Sequence, residues 1–136
     1  MEPPPEGWKQ YDKEMAPILR KLCRDIYSGK ANENGRPDRV SLKRIYRELD
    51  LPAHRLDNMP RCRALLKKYD ETYEESWARR IIWAYRKLTR KSHKPVFWSD
   101  IRRISGVKKK NMAKVLLYLP MHTDEDEAEK IKSLLV

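Results

Sequence analysis

Glycine is nearly missing from this chain: there are four among 136 residues, beside two cysteines and one phenylalanine. So little glycine leaves no glycine-rich loop to cradle a phosphate, which excludes the common nucleotide-binding motifs. Cys23 and Cys62 stand far apart and in no C-x-x-C spacing, so neither a zinc site nor a disulfide framework is expected. Both lie in stretches of apolar periodicity, which predicts buried free thiols in a reducing compartment. No apolar run approaches the roughly 20 residues of a membrane span, and no signal peptide precedes the first helix; no membrane partner is expected. His54, His93 and His122 have no serine or cysteine partner at a recognisable spacing. His122 beside Asp124 and Asp126 is a weak metal signal. The chain is therefore read as a non-enzyme with no catalytic residue, metal or cofactor.

What is abundant is positive charge. Thirty-one Lys and Arg against twenty Asp and Glu leave +11, and the acids are unevenly spread. Asp124, Glu125, Asp126, Glu127 and Glu129 outweigh Lys130 and Lys132 by three, so residues 1–123 carry +14. A basic body of that size calls for a polyanion partner or a heavily solvated surface.

The low glycine content, the many Leu, Ile, Arg and Lys, and the scarcity of two-residue alternation predict an all-α fold. Trp8, Tyr11, Met15, Ile18, Leu19, Leu22 and Ile26 mark one helical face ending at Ser28-Gly29. Pro17 lies within it, so this helix starts either near Trp8 or with Ala16-Pro17 as its first turn. Lys30 to Arg39 reads as a polar loop without an apolar anchor. Ser41 is placed to N-cap a helix ending near Asp50, Pro52 to open a short one over Ala53–Met59, and Pro60 to start another reaching Tyr69. Thr72 with Glu75 makes a capping box before a strong amphipathic helix through Trp77, Ile81, Ile82, Tyr85 and Leu88. Ser99-Asp100 open the next helix. Thr123 is expected to cap a last one, whose early acids and later lysines suit the helix dipole.

Residues 40–69 and 96–122 repeat one pattern of a short amphipathic helix, a turn and a second helix carrying basic side chains. Leu42, Tyr46 and Leu49 align with Phe97, Ile101 and Ile104 at one offset; inserting Gly106 then brings Leu51 onto Val107 and Leu56 onto Met112. This is the pattern of a helix-turn-helix, and its recurrence reads as a tandem duplication, each unit preceded by a longer helix. Coincidence is the alternative, because helical chains produce such patterns easily. The expected organisation is residues 1–7 as a linker or the edge of an excised piece, 8–69 and 70–122 as two helical units, and 123–136 as a C-terminal helix.

In such a unit the apolar residues take the core and the remainder face the nucleic acid. In the second unit Val107, Met112, Val115, Leu116 and Leu119 turn inward, leaving Lys108, Lys109, Lys110, Asn111 and Lys114 outside. Lysines lack a bidentate fork and suit phosphates, whereas the Asn111 amide can read adenine. In the first unit Leu56 and Met59 turn inward, and His54, Arg55, Asp57 and Asn58 face out. Arg55 has the fork for guanine and Asn58 the amide for adenine, while Arg61 and Arg63 are placed to clamp the backbone. Lys43, Arg44, Ser99, Arg102 and Arg103 on the supporting helices complete the expected DNA-binding set. Trp8, Trp77, Trp83 and Trp98 cannot all be buried in a small core, which keeps a protein-interaction surface open as another reading.

Val40-Ser41-Leu42-Lys43-Arg44-Ile45-Tyr46-Arg47-Glu48-Leu49, then Leu56-Asp57-Asn58-Met59-Pro60-Arg61, then Glu75-Ser76-Trp77-Ala78-Arg79-Arg80-Ile81, resembles the carboxy-terminal region of TnsD, one of the TniQ-type target-selection proteins of cut-and-paste transposons. The resemblance spans most of residues 8–122. It implies a string of helix-turn-helix units, sequence-specific binding to an attachment site in double-stranded DNA, and recruitment of an AAA+ transposition regulator by the full-length protein. The family's amino-terminal zinc-binding part has no counterpart here. On this reading the chain is cytoplasmic and nucleoid-associated. The alternatives are a helix-turn-helix transcriptional regulator and a helical interaction module whose basic charge is incidental.

Overall fold

A computed structural model of the chain describes residues 5–91, 94–108 and 112–134. Among the described residues every regular element is helical, which bears out the all-α expectation. No described helix is long and apolar enough to cross a membrane. The chain forms two compact units, one of Met1–Gly35 with Arg39–Glu71 (unit 1), the other of Arg36–Asp38 with Thr72–Val136 (unit 2).

Unit 1 is built on α1 (Pro5–Ser28), α2 (Leu42–Glu48) and α3 (Pro60–Lys68). Helix α1 runs unbroken through Pro17. Its buried stripe of Asp12, Ala16, Leu19, Cys23 and Ile26 steps by four and three residues and lies on both sides of the proline, so packing holds the two halves as one helix. Pro17 and Lys13, whose carbonyl loses its intrahelical partner, both occupy exposed positions where water can take over. Ile18, expected on the inner face, is 54 % exposed, and the acid Asp12 takes a place on the stripe instead. Helix α1 packs chiefly on α3 and less on α2. Ile45, Leu56, Met59, Cys62 and Leu65 complete the core.

Ser41 caps α2, its hydroxyl accepting from Arg44 N at 3.2 Å. The helix expected over Ala53–Met59 does not form. Residues 52–59 run through successive turns, with backbone bonds from Arg55 to Pro52, Asp57 to His54 and Met59 to Leu56. Two local causes act together. His54 sits at φ +64°, outside the right-handed helix region. Pro60 disfavours helical geometry at Met59, which is extended at φ −114°, ψ 92°. Too few residues remain between them to nucleate a helix. Pro60 does open α3, as expected.

Unit 2 holds α4 (Tyr73–Lys91), α5 (Trp98–Ser105), α6 (Met112–Leu117), α7 (Leu119–His122) and α8 (Glu125–Ser133). Thr72 caps α4, its hydroxyl accepting from Glu75 N at 3.2 Å. Here the long helix packs against α5, α6 and α7, so the helix partners differ from those in unit 1. Ala78, Ile81, Ile82, Ile101, Val107, Val115 and Leu119 fill the core, and α8 adds Ala128 and Ile131. Helix α8 is capped by Asp124, whose carboxylate accepts from Glu127 N at 2.8 Å, and not by Thr123. Thr123 instead bonds the Glu127 carboxylate and receives Arg86 at 3.1 Å. The loop expected to lack an apolar anchor has one: Pro37 is buried, and its carbonyl accepts from Arg80 Nε at 3.3 Å. Asp38 pairs with Arg80, and its carbonyl accepts from Arg79 at 2.9 Å.

In the structure the two segments expected to repeat one pattern correspond best one residue out of the expected register. Helices α2 and α5 begin at Leu42 and Trp98, their buried isoleucines are Ile45 and Ile101, and the left-handed residues after them are Asp50 (φ +50°) and Gly106 (φ +71°). All share an offset of 56, as do Val40 with Val96, Leu51 with Val107, and the fully buried pair Met59 and Val115. Gly106 is thus no insertion; its counterpart is Asp50. A Cβ on Gly106 would also lie 2.8 Å from Arg36 Nη1. Gly106→Ala is expected to cost unit 2 about 1–2 kcal/mol, from left-handed strain and displacement of that side chain. Chemical denaturation checks this, and an unchanged midpoint contradicts it.

Candidate nucleic-acid interface

Helix α3 carries Arg61, Arg63, Lys67 and Lys68 and no acid among its nine residues. Cys62 and Leu65 turn into the core, so all four cations and the small Ala64 lie exposed. The segregation follows from helical geometry: with the inward positions three apart, the remaining turns face solvent. Sequence reasoning named Arg61 and Arg63 but missed Lys67 and Lys68. Their signal was the uninterrupted run of cations on the outer positions of a proline-started helix.

The start of α3 is held by a carboxylate from α1. Asp12 Oδ2 accepts from Arg61 N and Oδ1 from Cys62 N, each at 3.0 Å. These N–H groups have no partner within their own helix, and the helix dipole further favours an anion there. Burial alone would raise the Asp12 pKa, but the hydrogen bonds from Cys62 and Arg61 and the Arg61 charge outweigh it, holding the carboxyl below its ordinary value. Nothing in local spacing announces a cap supplied from some fifty residues away.

Of the other residues expected in unit 1, Lys43, His54, Asp57 and Asn58 are exposed. His54 Nδ1 lies 2.9 Å from Asp57 Oδ2, and the Asp57 carbonyl accepts from Arg63 Nη1 at 3.2 Å. Arg55 is half-buried. Its guanidinium sits 5.7 Å from the Trp8 ring centroid and 5.4 Å from that of Tyr11. That cation–π contact engages the group assigned to guanine, so base reading would require it to leave both rings. Arg44 is largely covered, with Nε 3.7 Å from Glu48.

In unit 2 Ser99, Arg102, Arg103, Lys108 and Lys114 are exposed, and Arg103 lies 3.7 Å from Asp100. Lys109, Lys110 and Asn111 lie outside the described residues. Helix α6 presents Ala113, Lys114 and Leu117 outward, a face with one cation and a leucine that is 75 % exposed. His122 turns from Asp124 and Asp126 to Glu75, with Nε2 to Oε1 at 3.1 Å. The four tryptophans are all half-buried, packed at the margins of the two cores.

Cys23 and Cys62 are free and buried. Burial pushes the Cys23 thiol up to about 11; burial, with Asp12 beside it, pushes Cys62 up to about 12. Neither reaches the thiolate form near neutral pH, so alkylation of the native chain should be far slower than after unfolding. Rapid labelling of either thiol in the native state would contradict their placement. Compared with protein-family models, curated proteins and solved structures, the chain finds no match.

Proposed function

We propose that this chain binds double-stranded DNA sequence-specifically, as the target-site recognition part of a TniQ-type transposition protein acting in the cytoplasm. The observation that carries the reading is the outer face of α3, which offers four cations and a small residue to solvent with no acid among them. A rigid helix with this face suits a polyanion, and arginines at its start suit bidentate contacts. The turn at 52–59 positions exposed Asn58 next to the start of α3, where an amide can reach a base edge. In unit 2 the contacts would come from Arg102, Arg103, Lys108 and Lys114, with Lys109, Lys110 and Asn111 between the last two in sequence. Recruitment of an AAA+ regulator through the full-length protein belongs to the same proposal, and so does the alternative use of this chemistry by a transcriptional regulator.

A second reading has its own observation. Leu117 and Met121 of unit 2 are 75 % and 64 % exposed, which favours a protein contact on that unit. Titration of a labelled duplex at several salt concentrations separates the two. DNA binding with a steep inverse dependence on salt is expected. Absence of binding even at low salt moves the weight to a protein partner.

A further inference from the structure

We infer that unit 1 holds a second nucleic-acid contact, a groove between the first turns of α1 and the start of α3 that seats a stretch of sugar-phosphate backbone. The inference rests on the DNA-binding reading and assigns it residues outside any helix-turn-helix. The groove has a volume of ≈ 590 Å³, and Trp8, Lys9, Lys13, Asn58 and Arg61 line it beside Asp12. Lys9 and Lys13 are one helical turn apart on the same face of α1, both exposed, with exposed Arg61 across from them. None of the three side chains forms an ion pair among the described residues. The one acid in the lining is 3 % exposed, and both its oxygens are occupied by the N–H groups of Arg61 and Cys62. Asp12 is therefore part of the wall, its charge partly offset by the α3 dipole. Asn58 adds an exposed amide that can donate to a phosphate oxygen.

Two features choose phosphodiester over other anions. Lysines contribute point charge without a planar fork, which suits phosphate contact and carries no sequence information. Moreover, Arg61 belongs both to the groove and to the cationic face of α3, which goes on through Arg63, Lys67 and Lys68. The groove is the end of a longer cationic track, and a polymeric anion uses the whole of it.

The test compares the full chain with its Lys9→Ala plus Lys13→Ala variant, and with the charge-matched Lys91→Ala plus Lys130→Ala variant. Each is titrated into a labelled random-sequence duplex at several salt concentrations, with thermal unfolding as the folding control. The groove variant should bind roughly tenfold more weakly at moderate salt, with the salt slope reduced by about 1.8 for two lost phosphate contacts. Its unfolding temperature should not change, since both lysines are exposed. Equal losses in the two variants would show only a dependence on net charge and overturn the inference. An unchanged groove variant beside a wild type that binds would also overturn it, leaving the DNA-binding reading intact. A wild type that binds no duplex would overturn both.

Discussion

Asp12→Ala is expected to lower the stability of unit 1 by about 2–4 kcal/mol, because it leaves the buried Cys62 N–H and the partly buried Arg61 N–H without an acceptor and removes a charge-assisted bond to each. For a unit of this size that corresponds to a fall of roughly 10–20 °C in unfolding temperature. Asp12→Asn keeps one acceptor oxygen and should fall between Ala and wild type. The pH dependence has a defined sign. The folded Asp12 pKa lies below its ordinary value, so the stabilisation is complete above the unfolded pKa of about 4 and is lost as pH falls through the lower folded value. Acidification from pH 5 towards pH 2 should therefore destabilise the wild type more than Asp12→Asn. Thermal unfolding across that range reads both effects. A cost for Asp12→Ala within about 0.5 kcal/mol, the range of ordinary surface substitutions, would mean that the cap contributes little.

The second large effect concerns binding. Arg61→Ala, Lys67→Ala and Lys68→Ala together should weaken duplex affinity by roughly a hundredfold near physiological salt and reduce the salt slope by about 2–3. Arg63 is left in place because its guanidinium holds the Asp57 carbonyl, and its loss would confuse binding with the integrity of the turn. The triple variant should keep the wild-type unfolding temperature, since none of the three side chains is buried. An unchanged affinity and slope would take α3 off the DNA and leave any binding to Lys9 and Lys13 of α1 or to unit 2.

Much of the helical content could be read from periodicity and punctuation. Ser41, Thr72 and Pro60 start helices where side-chain caps and a fixed proline φ say they should, and Leu56, Met59, Val107, Val115 and Leu119 turn inward as their spacing requires. Three other features depend on tertiary context. Pro17 looks like a break because local propensity opposes helix there, yet a buried stripe on both sides carries α1 through it. Ala53–Met59 looks helical because Pro52 suits a first turn, but turns bury the inward-facing Leu56 and Met59 once His54 is left-handed. The two segments were aligned one residue out of register, because Tyr46, next to Ile45, is apolar enough to stand in for the buried position that Ile45 occupies. The candidate surface was legible as charge and only partly as geometry. Arg55 was assigned by its fork, whereas the rings of Trp8 and Tyr11 that receive it are distant in sequence.

The most direct measurement is selection of bound sites from a random duplex pool by the full chain, with the recovered sequences titrated at two salt concentrations. An enriched, asymmetric motif bound well above random duplex, with a steep salt slope, is expected, because on the proposed reading two non-identical units would read two different half-sites. Binding with no enriched motif would contradict sequence-specific recognition and reduce the chain to a cationic surface for DNA.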